Sequence, residues 1–340
     1  MAALLLPALG GCAPAQRDSP DSAVRAGTTF TWAVLGDVPE GVGQLRQLPD
    51  VIDRLSAAPG VRMAFHLGGI KGLRPCSDGY YRQVREAFDR SRVPLAYTFG
   101  GEEWLECGRS ENGGFDPQDR LAALRHTFVP RPGYTLGRPV PVASQAGTGF
   151  PENLVLVRPP VTFAAFHTVE AELDAVPGHS PRPLPSLVAE EARRSEAAVR
   201  LIREGFRSAA SMQSAAVVLL THADLFPPGE PDTATVRAYR PVVRAIAAGA
   251  RGFRGEVYLF TADRRSHVTD APLARGSHWP DAYDVAPLDT FTRVTVDGGA
   301  GATSYLSVTA RRHARPVVSW TRVRIPGQAA AAAAAAAAGP

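Results

Sequence analysis

The feature that most constrains the fold is an alternation of apolar strands and amphipathic helices in which strands end in polar tips. The segments VRMAFHLGG (61–69) and VPLAYTFGG (93–101) are apolar runs typical of buried strands, and each ends in Gly-Gly before charged residues. Between them, DGYYRQVREAFDRS (78–91) has apolar residues three and four positions apart, which predicts a helix. This order favours an α/β fold with functional groups along one sheet edge, because ligands bind where parallel strands end.

The same pattern continues along the chain. Residues 29–41 predict a first strand that runs into a polar turn, and 51–58 predict a helix. Further predicted strands lie at 161–169, 215–226 and 256–267, and further predicted helices at 187–211 and 236–250. Residues 108–160 are rich in Gly and Pro and predict a long irregular excursion with one helix at 117–128. The last segments alternate apolar and polar residues as antiparallel strands do, at 291–298, 302–310 and 317–326.

The amino terminus resembles the cleavage box of a bacterial lipoprotein. Residues 1–12 form a short apolar run that ends in Leu-Gly-Gly-Cys, so that Cys12 would carry the lipid. Residues 13–27, rich in Ala, Pro, Asp and Ser, predict a flexible tether. The run is too short to span a bilayer, so we expect an exported, membrane-anchored lipoprotein in the periplasm or at the cell surface. An apolar start with a chance cysteine is the alternative, because no basic residues precede the run.

Composition limits the remaining function classes. With 340 residues, 45% of them hydrophobic, the chain can bury a full core, and we expect one domain over 28–327 followed by a low-complexity, alanine-rich tail at 328–340. The net charge of +4 is spread over arginines interleaved with acids, so nucleic acid is not an expected partner. Arginine outnumbers lysine 36 to 1, which draws attention to the single lysine, Lys71.

Two cysteines follow the two Gly-Gly tips. Neither Cys76 nor Cys107 belongs to a CxxC or Cys/His pattern that would bind a metal. In an exported chain two such cysteines pair more often than they stay reduced, so we predict a Cys76–Cys107 disulfide. Two free buried thiols are the alternative.

The polar strand tips share motifs with one family. The tips are Asp37, Gly69, Glu102 with Glu103, His222, and Asp263 near His267. The runs that contain most of them are GDVPEG (36–41), HLGGIKGLRPCSDGYY (66–81), PLAYTFGGEEWLECG (94–108) and TADRRSHVTDAPL (261–273). Together they resemble an exported branch of the calcineurin-like metallophosphoesterases from about residue 29 to 325. The resemblance implies a four-layer α/β/β/α sandwich with two mixed β-sheets and two metal ions at the carboxyl ends of the strands.

The second motif departs from that family at its central position. Asp37 matches the aspartate of the first motif, and Lys71 matches the lysine of the family's Gly-Asp-Ile-Lys. Gly69, however, stands where that motif supplies the carboxylate that bridges both metals. Two dications 4 Å apart repel by about 17 kcal/mol at an effective dielectric constant of 20, and the bridging carboxylate offsets this repulsion. A dinuclear centre is therefore not expected here.

The third motif departs as well. Where the family has Gly-Asp-Asn-Glu-Trp, Gly101 replaces the aspartate and Glu102 replaces the asparagine ligand, whereas Glu103 matches. His222 is placed on a histidine of the fourth motif. The family's metal ligands are thus only partly represented in this chain.

The last motif places a cation near the site. Asp263 is kept, but Arg265 falls at the position of a metal-binding histidine. A guanidinium is permanently charged and cannot ligate a metal. We hypothesise that Arg265 occupies the vacated metal position as an internal cation, within ion-pair distance of Asp37, Glu102 or Asp263.

The favoured interpretation is a pseudoenzyme with no cofactor, in which the residual catalytic positions are Asp37, Glu102, Glu103, His222 and Asp263. The alternative is an active phosphoesterase that hydrolyses a phosphate ester with one Mn, Fe or Zn ion. The ligands of that ion would be Asp37, Glu102, His222, Asp263 and His267. A small anionic or phosphate-containing ligand is a further expected partner, bound by Lys71 and Arg265. His66 and His167 lie within apolar strands and are expected to be satisfied core histidines.

Overall fold

Two mixed β-sheets form the centre of the molecule. The computed structural model describes residues 28–71, 76–168, 185–262, 266–299, 302 and 304–325. The strands within these ranges are β1 (Thr29–Leu35), β2 (Val61–His66), β3 (Pro94–Tyr97), β4 (Leu136–Gly137), β5 (Ala143–Gln145), β6 (Phe150–Arg158), β7 (Val161–Ala165), β8 (Ala216–Leu220), β9 (Glu256–Thr261), β10 (Val268–Asp270), β11 (Phe291–Thr295), β12 (Ser304–Arg311) and β13 (Val318–Arg324). The helices are α1 (Gly41–Ala57), α2 (Asp78–Asp89), α3 (Pro117–Phe128), α4 (Pro185–Ser211), α5 (Thr233–Gly252) and α6 (Trp279–Tyr283).

Strand direction brings the polar tips to one edge of each sheet. The first sheet has the order β13-β12-β1-β2-β3-β4, and its central strands β1, β2 and β3 run parallel. The second sheet has the order β10-β11-β9-β8-β7-β6-β5, with β11, β9, β8 and β7 parallel. The outer strands of both sheets pair antiparallel with their neighbours. The carboxyl ends of the parallel strands therefore meet at a common edge, as the sequence predicted.

Three hydrophobic clusters hold the layers together. Between the sheets, Trp32 and Phe65 pack on Phe163 with ring centroids 5.0 Å and 4.9 Å away. A second cluster joins α1, α2 and α3 to the outer face of the first sheet, and a third joins α4, α5 and α6 to the outer face of the second. The chain is thus a four-layer α/β/β/α sandwich with two mixed β-sheets, as expected.

Several elements differ in extent from the sequence prediction. The expected irregular excursion over 108–160 contains β6, a nine-residue strand, as well as the short strands β4 and β5. Residues 152–156 of β6 are all buried, because the second sheet is covered on both faces, so the strand lacks alternation. Helix α1 begins at Gly41 rather than at 51 and contains Pro49, a residue that normally indicates a helix boundary. Strand β7 ends at Ala165 rather than at 169.

Some predicted segments lie outside the described residues. These are the lipoprotein segment 1–12 with Cys12, the tether 13–27 and the alanine-rich tail 328–340. Within the described ranges, no helix combines the length and the apolar character needed to cross a membrane.

Candidate functional site

The carboxyl ends of β1, β2 and β8 meet at the edge where the two sheets come together. The backbone N–H of Asp37, after β1, donates to the carbonyl of Gly68, after β2, at 2.7 Å. His222, after β8, comes from the other sheet, and its Nδ1 lies 2.7 Å from the carbonyl oxygen of Leu67. The structure therefore brings together the tips that contain Asp37, Gly69 and His222.

Residue 69 has no room for a side chain. Gly69 has φ +72°, a left-handed conformation that glycine adopts more readily than other residues. A Cβ atom built on Gly69 would lie 2.6 Å from both Cα and Oδ1 of Asp37 and 3.0 Å from Cε1 of His222. These distances are well inside the 3.5–4.0 Å at which carbon atoms make favourable contact, as a rough guide. The space from which a bridging carboxylate would extend is thus filled by Asp37 and His222.

Asp37 is enclosed from two sides. Its backbone adopts φ 54°, which is uncommon for a residue other than glycine, and its side chain is buried. A Cβ at Gly298 would lie 2.6 Å from Oδ2 of Asp37, whereas one at Gly69 approaches Oδ1. The N–H of Gly299 donates to the carbonyl of Asp37 at 2.7 Å. Two glycines thus allow the backbone to pack directly against this carboxylate.

Glu103 binds the backbone of the second tip. Its side chain is fully buried, and Oε1 accepts hydrogen bonds from the N–H groups of Gly69 at 2.7 Å and Ile70 at 3.3 Å. The hydroxyl of Tyr97 donates to the same oxygen at 2.9 Å. Oε2 lies 2.6 Å from the position of a Cβ at Gly100 and accepts no hydrogen bond from the described residues. Glu103 therefore fixes the conformation of Gly69 rather than facing an open pocket with both oxygens.

Lys71 and Glu102 lie in a group of charged residues beside this edge. The Lys71 side chain is buried, and its Nζ lies 3.9 Å from Oε2 of Glu106. Burial lowers the pKa of Lys71, while Glu106 and Glu102 act in the opposite direction. Burial raises the pKa of Glu102, against the effect of the nearby His222. Gly101 begins the turn that contains Glu102 and Glu103, and its carbonyl accepts hydrogen bonds from the backbone N–H groups of Leu105 at 2.8 Å and Trp104 at 3.2 Å.

The remaining predicted ligands are only partly described. His267 is half-buried, with Nδ1 2.7 Å from the carbonyl oxygen of Thr295, and its backbone N–H donates to Oδ1 of Asp297 at 3.1 Å. Asp263 and Arg265 lie outside the described residues, so the position proposed for the Arg265 guanidinium stays a prediction. Among the residues that the structure does describe, no three or more His, Cys, Asp or Glu side chains are grouped to hold a metal ion.

His66, at the end of β2, and His167, just after β7, are both buried, as expected of core residues. Nε2 of His66 donates to the carbonyl of Val38 at 2.6 Å, and burial lowers the pKa of His66 to about 3. Burial, together with the charge of Arg194, lowers the pKa of His167 to about 3. The indole Nε1 of Trp104 donates to Nε2 of His167 at 3.3 Å. Both imidazoles are therefore neutral at pH 7.

A buried ion-pair network behind the tip of β7 was missed from the sequence. Glu152, on β6, is bound by both Nε and Nη2 of Arg125 at 3.0 Å and 2.8 Å and by Nη1 of Arg194 at 3.3 Å. Arg194 also donates to Glu190 one helical turn earlier, at 2.5 Å. Burial opposes ionisation of Glu152, but hydrogen bonds from His167 and Arg125 hold its pKa well below the usual range. The i,i+4 spacing of Glu190 and Arg194 was the sequence signal that could have indicated part of this network. The network ties α3 and α4 to the second sheet.

The disulfide prediction is confirmed. Cys76 and Cys107 are bonded, with their Cα atoms 5.6 Å apart. Cys107 follows the turn that contains Glu103, and the hydroxyl of Tyr81 on α2 donates to the carbonyl of Glu103 at 2.5 Å. The bridge and this hydrogen bond together fasten the third tip to the start of α2.

Comparisons with known proteins give the chain no family assignment. No protein-family model matches the sequence, and no curated protein matches it. Among solved structures, the chain is similar to GAP50, the anchor in the inner membrane complex of Plasmodium, with 8% identity over 92% of this chain and 96% of that chain and a TM-score of 0.45. It is also similar to TT1561 of Thermus thermophilus, with 11% identity over 87% of this chain and 100% of that chain and a TM-score of 0.37. These values are too low to support an argument about function.

The described residues do not fit a dinuclear metal centre. Residue 69 supplies no donor atom, and one oxygen of Glu103 is occupied by three hydrogen bonds. What the edge does offer is the carboxylate of Asp37 beside the imidazole of His222. Such a pair is short of the three or four ligands that a transition-metal site uses.

Proposed function

We propose that this protein has a metallophosphoesterase-like fold, has lost the dinuclear centre and acts by binding rather than by hydrolysis. The observation that carries the proposal is the packing at residue 69. Asp37 and His222 occupy the space that a side chain there would need. Without an acid between them, two divalent ions have no group to offset their mutual repulsion of about 17 kcal/mol at 4 Å and an effective dielectric constant of 20.

A second candidate function, phosphate-ester hydrolysis with one metal ion, has a specific observation in its favour. Oδ1 of Asp37 and Cε1 of His222 both lie within 3.0 Å of one point, the position of a Cβ at Gly69. A carboxylate oxygen and an imidazole in such proximity suit Mn, Fe or Zn, and one ion can polarise a phosphate or activate water. Glu102 and either Asp263 or His267 are the further ligands that this candidate requires.

Metal content and turnover separate the two candidates. The purified full chain is assayed for bound metal and for hydrolysis of an aryl phosphate, with and without added Mn²⁺ or Fe. We expect substoichiometric metal and the same background rate in wild type and in Asp37→Ala. One bound metal per chain, together with turnover that Asp37→Ala abolishes, would establish the hydrolase and overturn the proposal.

The proposed cellular setting is an exported protein held to the membrane by a lipid on Cys12, in the periplasm or at the cell surface. The sequence LGGC at 9–12 and the Cys76–Cys107 disulfide support it, since structural disulfides persist in oxidising compartments. Incorporation of labelled palmitate by wild type but not by Cys12→Ser is the expected result. Equal labelling of both chains contradicts the anchor.

A small anionic or phosphate-containing ligand remains the proposed partner of the former metal edge, with Lys71 and Arg265 as its cationic contacts. A crystal grown with phosphate or sulfate is expected to hold the anion near these two residues. An anion-free edge at saturating phosphate contradicts this part of the proposal.

A further inference from the structure

A second candidate site lies at the opposite end of the strands, away from Gly69. It is a cleft of about 510 Å³ where the amino ends of β1, β2 and β3 meet the turn between β6 and β7. Four arginines line it, namely Arg62, Arg92, Arg138 and Arg158. We call it the arginine cleft.

The charges of the arginine cleft are not balanced by acids. In the described part of the chain, none of the four guanidinium groups forms an ion pair with a carboxylate. Arg62, Arg92 and Arg138 are exposed. Arg158 is half-buried, donates to the carbonyl of Val157 at 2.9 Å, and has a pKa lowered by burial alone. By contrast, the buried Arg293 is paired with both Asp224 and Asp270.

Four like charges around one cleft favour an anionic occupant. Arginine side chains that surround one cleft repel one another, and an anion bound between them offsets this electrostatic repulsion. The planar guanidinium group donates two parallel hydrogen bonds to phosphate, which makes arginine suited to this group. Phosphate-bearing molecules therefore match the charge and the donor geometry of the cleft.

The rest of the lining is apolar. It consists of Phe30, Val93, Pro94, Val140 and Pro159 together with the methyl-bearing Thr29. An inorganic ion would leave this surface in water, whereas a ligand with a hydrocarbon portion would cover it. The combination indicates an amphiphile that has an anionic head.

We propose that the arginine cleft binds the phosphate group of an anionic amphiphile, and that a phospholipid headgroup supplies it. Thr29, in the lining, begins β1, so the segment that carries Cys12 joins the domain at the rim of the cleft. The tether that the sequence predicts at 13–27 would span about 20 Å on average if flexible, which would keep a lipid-anchored domain close to the bilayer. The choice of a phospholipid rests on the proposed lipid anchor, whereas the recognition of phosphate does not.

Vesicle binding by the full chain tests the proposal. The chain carries Cys12→Ser so that no attached lipid contributes, and vesicles of phosphatidylcholine alone are compared with vesicles that contain phosphatidylglycerol. We expect sedimentation with the anionic vesicles only. In the double variant Arg62→Gln/Arg92→Gln, which changes two exposed side chains, partitioning should fall by about 20- to 30-fold.

A matched control separates the cleft from general charge attraction. Arg200→Gln/Arg207→Gln removes the same charge from exposed positions on α4, where each arginine has a glutamate partner. This control should bind as the Cys12→Ser chain does. Equal weakening in both double variants, or no preference for anionic vesicles, overturns the proposal.

A soluble competitor identifies the source of the phosphate. Binding of glycerol phosphate that depends on Arg62 and Arg92, without binding to vesicles, would keep phosphate recognition and overturn the phospholipid assignment. The metal and phosphatase assays do not involve this cleft, and palmitate labelling tests the anchor on its own. Phosphate recognition by the cleft can therefore fail or hold independently of the metal-site and anchor proposals, and only the phospholipid assignment depends on the anchor.

Discussion

Replacing Gly69 with aspartate introduces the carboxylate that the motif resembled by this segment has at this position. If the missing acid were the only defect of the metal site, the Gly69→Asp variant would gain a bridging ligand and bind metal. The structure predicts a different result. Because Asp37 and His222 fill the adjacent space, the new side chain should destabilise the fold without creating a metal site.

Three contributions set the size of the effect. A residue with a Cβ at φ +72° costs about 1 kcal/mol relative to glycine. The 2.6 Å approach to the backbone Cα of Asp37 is an overpacking defect of about 1–3 kcal/mol. Two carboxylates about 4 Å apart repel by roughly 4 kcal/mol at an effective dielectric constant of 20, unless one takes up a proton. Since protonation and small shifts relieve part of this, we expect a loss of about 3–5 kcal/mol in the free energy of unfolding.

Urea unfolding at pH 7, with and without Mn²⁺, measures this loss in wild type, Gly69→Ala and Gly69→Asp. The alanine variant isolates the backbone and steric contributions and should lose about 2–4 kcal/mol. The additional loss in Gly69→Asp is the carboxylate repulsion, which should shrink as the pH is lowered and one of the two acids takes up a proton. A Gly69→Asp chain as stable as wild type, or one that Mn²⁺ stabilises, refutes the reasoning, because the edge would then open to accept an acid and a metal.

Three further predictions concern the residues that support this edge. Glu103→Gln keeps an acceptor for the backbone of the second tip and should cost about 1–2 kcal/mol in urea unfolding, whereas Glu103→Ala should cost about 3–5 kcal/mol; equal losses would mean that these hydrogen bonds do not hold the tip. Replacing Cys76 and Cys107 with serine should lower the free energy of unfolding by about 2–5 kcal/mol, and an unchanged urea midpoint would contradict a structural role. His66 and His167 are neutral in the folded chain, with pKa values of about 3, below the ordinary value of about 6.5 in an unfolded chain. Their contribution to the free energy of unfolding is therefore complete above pH 6.5 and is lost as the pH falls towards 3. Between these pH values each histidine should add up to about 1.4 kcal/mol per pH unit to the slope of the unfolding free energy against pH. His66→Gln should remove about half of the slope that the two histidines cause, and an unchanged slope in this variant would exclude His66 as a source.

The sheet-edge location of the site was predictable from the sequence, but the contacts at that edge were not. The apolar runs and the polar residues that follow them identified β1, β2 and β3, because the sequence changes sharply in polarity where each strand ends. Strand β6 was missed because Pro151, Glu152 and Asn153 interrupt its apolar run, although Glu152 and Asn153 are buried and hydrogen-bonded in the fold. That residue 69 is a glycine, where the motif it resembles has an acid, is a matter of residue identity and could be recognised directly. That His222, 153 positions later, fills the space beside it depends on how two sheets pack, which no local pattern encodes.

Glu103 illustrates the same limit. The sequence placed it at the site because Glu103-Trp104 matches the family motif. In the structure its Oε1 accepts from two successive backbone N–H groups, those of Gly69 and Ile70. Whether a glutamate faces a pocket or a backbone depends on which N–H groups of another loop lie opposite, so sequence alone could not separate a ligand from a structural anchor.

The packing around Asp37 also determines what its substitution can report. Gly69 and Gly298 both lie directly against this carboxylate, so Asp37→Ala removes atoms from a filled space and should reduce stability whether or not the protein is an enzyme. Loss of activity in that variant therefore counts as catalytic only if the remaining folded fraction, measured in the same sample, is inactive. If Asp37 serves the packing between the two sheets rather than a metal, the wild type should be stable without metal. The Asp37→Ala variant should then unfold more readily, with no change in background hydrolysis.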